Sequence, residues 1–176
     1  MKDERVGHIH VAFSHIRVGH VERRDDLVAA LEAHERRVFN YFRRMGVPWE
    51  PARDCAQETF LRAIRGAARY RGDAPAEAWL LGIARNVFRE WIRATRRVAP
   101  TAPDIAVPGP GTDRLDVELA LSRLHQDHRE VLVLRFVLDL PGEEVARIIG
   151  VSHDALRQRV SRAKTEFRRI WDLRDG

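Results

Sequence analysis

Near the end of the chain, Arg157, Gln158, Ser161, Arg162 and Lys164 recur at helical spacings within "SHDALRQRVSRAKTEF". Guanidinium and amide groups one turn apart can form paired hydrogen bonds to purine edges in a major groove, while flanking cations neutralise phosphates. Arg168 and Arg169 lie further along, where they would meet phosphate or solvent. The segment before this face fits the same chemistry. "PGEEVARIIGV" reads as a short helix, Gly150 suits a left-handed helix-ending position, and Ser152 can cap the next helix. Val145, Ile148, Leu156, Val160, Ala163 and Phe167 supply the apolar interface, so the pattern is a helix-turn-helix with its basic face outward. A solvated basic face on a core helix is the plainer alternative. The coincidence of turn, cap and basic face favours DNA.

A second basic surface lies in the first half. Within residues 76–96, Leu80, Ile83, Ala84, Val87 and Trp91 form a core stripe, while Arg85, Arg89, Arg93 and Arg96 line the opposite side with Asn86 beside them. Just upstream, a loop holds Arg69, Tyr70, Arg71 and Asp73, and Trp79 follows it. Aromatics beside arginines suit unstacked bases, because stacking tolerates any sequence and the charges hold the backbone. A Tyr or Trp at such spacing is more often core than a base platform, and the residues alone leave both roles open.

A third pattern is "DCAQETFLRAIR", residues 54–65. Ala56, Phe60, Ala63, Ile64 and Ala67 form one apolar face of a helix, and Leu61 is not on it. Leu61 falls instead in a stripe with Asp54, Gln57, Glu58 and Arg65, an apolar side chain in a polar frame. Such a stripe suits a protein interface; a single exposed leucine on a surface helix is the plainer reading.

Other chemistries find no support. There is no glycine-rich phosphate loop, no metal-ligand spacing, and no placed nucleophile, base and orienter, so neither catalysis nor a cofactor or metal is expected. Cys55, the single cysteine, cannot form an internal disulfide or a multi-thiolate site and is expected at a core edge. No apolar run of about eighteen residues and no secretory signal is read, so a cytoplasmic protein without a membrane segment is expected. The formal charge of +5 and the isoelectric point near 10.2 reflect many arginines, whose placement matters more than their sum.

The elements that must position these residues are helical throughout. Periodic apolar residues predict helices from Asp25 to about Met45, from Glu50 or Pro51 to the "GAARYRGDAP" loop, and from Ala76 to about Arg96. Residues 98–113 hold four of the eight prolines and no basic residue, which marks a linker. Beyond it, Leu115–Leu124, Asp127–Leu138, Glu143–Ile149 and Ser152–Leu173 read as helices. The 176 residues, 44% hydrophobic, allow one domain or two small ones. The expected fold is all-α, two small helical domains (25–97 and 114–176) joined by a Pro-rich linker, the second a helix-turn-helix. Residues 1–24, with His8, His10, His15 and His20, read as a flexible N-terminal extension in which no carboxylate or cysteine cluster completes a metal site.

"DCAQETFLRAIR", then "YRGDAPAEAWLLGIARNVFREWIRATRR", a Pro-rich linker, and "LRFVLDLPGEEVARIIGVSHDALRQRVSRAK" together resemble an extracytoplasmic-function (ECF) sigma factor, a two-domain bacterial initiation factor. The resemblance spans roughly residues 25–173. It implies that 25–97 is sigma region 2 and 114–176 is sigma region 4. It implies that Asp54, Gln57, Glu58, Leu61 and Arg62 dock on the beta-prime clamp helices of core RNA polymerase, with the beta subunit a further partner. The loop from Arg69 to Glu77, with Tyr70, Arg71 and Asp73, together with Trp79, Arg85, Asn86, Arg89 and Arg93, would capture unpaired minus-ten bases. Arg157, Gln158, Ser161, Arg162 and Lys164 would read the minus-thirty-five element as duplex. An anti-sigma factor is a partner of the kind many relatives have. "SHDALRQRV" and Pro141 depart from the usual pattern, so no promoter sequence is read from it. The alternative is a stand-alone helix-turn-helix repressor, which binds duplex DNA unaided, usually as a dimer.

Overall fold

The computed structural model describes residues 34–98 and 113–173, and the N-terminal extension and most of the linker lie outside them. Among the described residues the first domain holds α1 (Glu35–Arg44), α2 (Trp49–Gly66) and α3 (Ala76–Val98). Glu35 opens α1 and Arg43 and Arg44 close it, charges that complement the helix dipole. Gly46, at φ 88, turns the chain out of α1, and Val47 N–H returns to the Phe42 carbonyl. Pro51 sits in the first turn of α2, where a missing N–H costs no helix bond. After α2 a single 3₁₀ turn, Ala67–Arg69, leads into the loop before α3. Val38, Tyr41, Phe42, Phe60, Leu80 and Phe88 are buried among these three helices.

The second domain contains α4 (Asp113–Ser122), α5 (Gln126–Leu132), α6 (Gly142–Ile149) and α7 (His153–Asp172). Periodicity predicts one helix over Asp127–Leu138. The structure ends α5 at Leu132 and continues as a π-helical turn, Val133–Val137, where Leu138 N–H bonds the Val133 carbonyl at 2.9 Å. The wider turn keeps Val133 and Leu134 buried and leaves Phe136 and Val137 exposed. Gly150 adopts φ 72 at the end of α6, and the Ser152 side chain accepts from Ala155 N–H at 3.2 Å, so the helix-turn-helix is built as its turn chemistry predicts.

The described residues contain only helices and their connections, in the all-α two-domain arrangement expected. The two domains also pack on each other, which periodicity did not announce: α3 lies against α6, and α1 touches the π-helical turn. Arg37 donates to the Leu138 carbonyl and Arg44 pairs with Glu118.

Candidate nucleic-acid and protein interfaces

In α7 the inward stripe is Leu156, Ala163 and Ile170, with Val160 and Phe167 half-buried. Arg157, Gln158, Ser161, Arg162 and Lys164 are all exposed. Arg157 pairs with Asp154 at 2.6 Å, but both are open to water, and such a surface pair yields easily to a stronger partner. The Lys164 ammonium lies 4.5 Å above the Phe136 ring, and Arg135 stacks on the same ring. Lys164 is thus engaged within its own domain, while Gln158, Ser161 and Arg162 are exposed in successive turns and Arg157 joins them once its surface pair yields.

The α3 face divides. Asn86, Arg89 and Arg93 are exposed and, with Arg62, Arg96 and Gln126 of α5, line a groove rich in positive charge. Arg85 is not on that surface. Expected with the DNA-facing arginines, it is 8% exposed and its Nε donates to both Glu130 oxygens, at 3.1 and 3.2 Å. The reason lies in the helix: Ala78, Leu81, Arg85 and Phe88 form a second buried stripe beside Leu80, Ala84 and Val87, because α3 is covered both by its own domain and by the second domain. Glu130, 5% exposed, also accepts from the Tyr41 hydroxyl at 2.9 Å. Burial, reinforced by the Glu130 charge and hydrogen bond and opposed by Arg85 and Arg89, raises the Tyr41 pKa well above its usual value, so Tyr41 stays a neutral donor.

In the loop before α3, Arg69, Arg71 and Asp73 are exposed. Tyr70 and Trp79 are half-buried and pack together, ring centroids 4.8 Å apart, and the Tyr70 hydroxyl donates to the Ala74 carbonyl at 2.7 Å. The pair therefore shapes the loop and keeps partly open ring faces. Arg147 of α6 reaches the Asp73 carbonyl at 3.3 Å.

On α2, Leu61 is 44% exposed, Asp54 and Gln57 are exposed, and Glu58 is partly so. Arg62 is held from two sides, by Glu58 at 2.7 Å and by a two-pronged contact with Glu90 of α3 at 2.8 and 2.7 Å. Hydrogen bonding by Arg62 pulls the Glu90 carboxyl below its usual range. This clamp fixes the frame around Leu61. Cys55 lies at the core edge as expected, and burial pushes its thiol up to about 11, which keeps it protonated.

Two buried charged residues, Arg129 and Glu130, escaped the sequence reading. Glu130 follows a run of polar residues and precedes a continuous apolar segment, which is its only signal. Its neighbour Arg129 donates to the carbonyls of Leu121 and Ser122 at the end of α4, to that of Leu124 just after it, and to that of Met45 in the first domain at 3.1 Å. Burial lowers its pKa to about 10, which still leaves it charged at neutral pH. Among the described residues no cluster of His, Cys, Asp and Glu could hold a metal ion, and no helix is long and apolar enough to cross a membrane.

Comparison with known proteins places this arrangement. Residues 30–98 match the family Sigma-70 region 2 and residues 114–167 match Sigma-70, region 4. The chain is 34% identical over 149 residues to the RNA polymerase sigma factor CarQ of Myxococcus xanthus, covering 78% of this chain and 84% of that one. The chain belongs to the ECF sigma factors. It is a factor for promoter-specific transcription initiation, with RNA polymerase and promoter DNA as its partners. It is also 27% identical to YlaC of Bacillus subtilis, covering 94% of that protein. It spans only 32% of the probable sigma factor RfaY of Xanthomonas campestris, at 35% identity. The fold is similar to that of RpoE in its co-crystal with the anti-sigma factor NepR from Bartonella quintana, with TM-score 0.71, 22% identity, and coverage of 86% of this chain and 98% of that one. It is likewise similar to CnrH solved with the cytosolic domain of CnrY, with TM-score 0.65, 26% identity, and coverage of 88% and 91%.

Proposed function

We propose that the three surfaces divide the work of initiation in the cytoplasm. Leu61, with Asp54, Gln57, Glu58 and the clamped Arg62, anchors α2 on the beta-prime clamp helices of core polymerase, and the beta subunit contributes further contacts. The loop carrying Arg69, Tyr70, Arg71 and Asp73, with Trp79, Asn86, Arg89 and Arg93, holds the unpaired minus-ten strand. Arg157, Gln158, Ser161 and Arg162 read the minus-thirty-five duplex, with Lys164 beside them. The domain limits follow: region 2 over 25–97, a linker over 98–113, and region 4 over 114–176. The protein itself is no catalyst. It supplies recognition and converts binding into strand separation, while the polymerase makes RNA.

The observation that carries this reading is the pairing of two different nucleic-acid surfaces in one chain. One is an outward basic helix behind a capped turn, and the other a basic groove flanked by aromatics. A stand-alone repressor needs only the first, and its alternative gains no support from the region 2 match. An anti-sigma factor that covers these surfaces belongs to the same reading, supported by the likeness of the fold to chains solved with bound protein partners. The test is transcription in vitro with purified core polymerase. Promoter-specific transcripts that require this protein are expected, and duplex binding as a dimer with no effect on core polymerase would overturn the assignment.

A further inference from the structure

The contact between the domains is built from polar groups that the first domain could otherwise offer to nucleic acid. Arg85 lies one turn before Arg89 on α3, yet its guanidinium faces Glu130 of the second domain, whose carboxylate presents two oxygens to it. A phosphate presents oxygens to arginine in the same forked way. Tyr41 secures the same carboxylate from α1, and Arg147 takes the Asp73 carbonyl in the loop before α3. Gln126, only four residues before Glu130, lies at the wall of the groove formed by Asn86, Arg89 and Arg93. The second domain therefore rests on the rim of the basic surface.

We propose that Glu130 is an intramolecular stand-in for a promoter phosphate: it keeps Arg85 and the minus-ten loop engaged with the second domain until the two domains separate. The proposal rests on the assignment of α3 as the minus-ten surface. Geometry requires such a separation. Elements about 25 base pairs apart are separated by roughly 85 Å of duplex at about 3.4 Å per pair. A closed body of this length has a radius of gyration of only about 16 Å, too small to touch both. Residues 99–112 can extend to at most about 50 Å, enough to let the domains part. The energetics suit a reversible contact, because a buried ion pair roughly breaks even against the hydration its partners regain on opening. When the domains part, Arg85 joins Asn86, Arg89 and Arg93 on one continuous face, and Glu130 is carried away from it.

The test uses the full chain without polymerase, so that its outcome is separate from that of the transcription assay. Small-angle scattering reads compaction, and a dye-labelled pool of random-sequence single-stranded oligonucleotides reads access to the groove. Glu130→Gln keeps the side-chain shape and removes the charge. It is expected to expand the chain and to raise oligonucleotide affinity severalfold, with about tenfold as the ceiling if the closed form holds roughly nine molecules in ten, because Asn86, Arg89 and Arg93 are already exposed in the closed form. Tyr41→Phe removes one donor to Glu130 and is expected to shift both readouts the same way by less. Circular dichroism identifies the folded variants, and if Glu130→Gln fails to fold, Tyr41→Phe decides. A folded variant as compact as the parent, with the same affinity, overturns the proposal. So does a folded variant that expands without any gain in affinity.

Discussion

Helices α3 and α7 are both long and rich in arginine, yet they use those arginines differently. In α7 the basic residues lie away from the buried stripe, so Arg157, Arg162, Arg168 and Arg169 all reach solvent. In α3 Arg85 is covered by the other domain, where it meets Glu130, and one arginine of the row is withdrawn there. A helical wheel reports which side of a helix touches its own domain. It is silent on what a neighbouring domain will cover, and polar residues on that second side are read as free when they are paired.

The comparison breaks most sharply at the doubly covered helix. Phe88, 1% exposed, packs edge-on to Tyr41 and stacks with Trp91. Phe88→Ala is expected to cost about 3–5 kcal/mol in chemical denaturation, since it opens a cavity in the core beside Tyr41. A loss below about 1 kcal/mol would mean that this face of α3 is not packed on α1. In α7 the same size of truncation should spare folding and change recognition instead. Arg162→Ala is expected to cost about 1–3 kcal/mol of discrimination at particular minus-thirty-five pairs, while Arg168→Ala weakens all sequences about equally. A promoter-variant panel with reconstituted holoenzyme measures this. Unchanged preference at every upstream pair in the Arg162 variant would remove this face of α7 from base reading.

The same contrast explains what the sequence made legible. The helix-turn-helix was readable because its signals are local: Gly150 at positive φ, Ser152 as cap, and an apolar stripe of one period. The α2 stripe around Leu61 was readable for the same reason. Arg129 and Glu130 were not. Their partners are Met45, Tyr41 and Arg85, 84, 89 and 45 residues away in sequence, and no short-range pattern encodes such distances. The π-helical turn at Val133–Val137 was also missed, because a continuous apolar run fixes burial but not the hydrogen-bond register inside it.

The α2 surface sits between the two extremes, open to solvent yet rigidly framed. Leu61→Asp is expected to weaken binding to core polymerase by more than about 1 kcal/mol, because an interface anchor loses its desolvated contact. Folding should survive, since Leu61 lies outside the core cluster. Pull-down titrations with core polymerase give the affinity. An unchanged affinity in a folded variant would show that the stripe is only a solvated helix face.

The smallest difference lies in two carboxylates, one in each domain, that arginine or histidine holds below the usual range. Glu166 of α7 is lowered first by its hydrogen bond with His128, and its side chain is 24% exposed. Glu90 of α3 is lowered by Arg62, but its side chain is 48% exposed. A carboxyl whose folded pKa lies below its unfolded value of about 4.5 adds stability above that pH and loses it as pH falls through the folded value. Glu166→Gln should therefore lower stability at neutral pH by under about 1 kcal/mol and flatten its decline below about pH 4.5. Glu90→Gln should act in the same direction but less, and added salt should erase its effect first, because water and ions screen the more open pair. Thermal denaturation from pH 7 down to about 3, at low and high salt, reads both curves. If Glu90→Gln proves the more damaging and the less sensitive to salt, the Arg62 clamp is better shielded than the exposed geometry of α3 allows, and the contrast between an open α2–α3 surface and a partly enclosed α5–α7 pair fails.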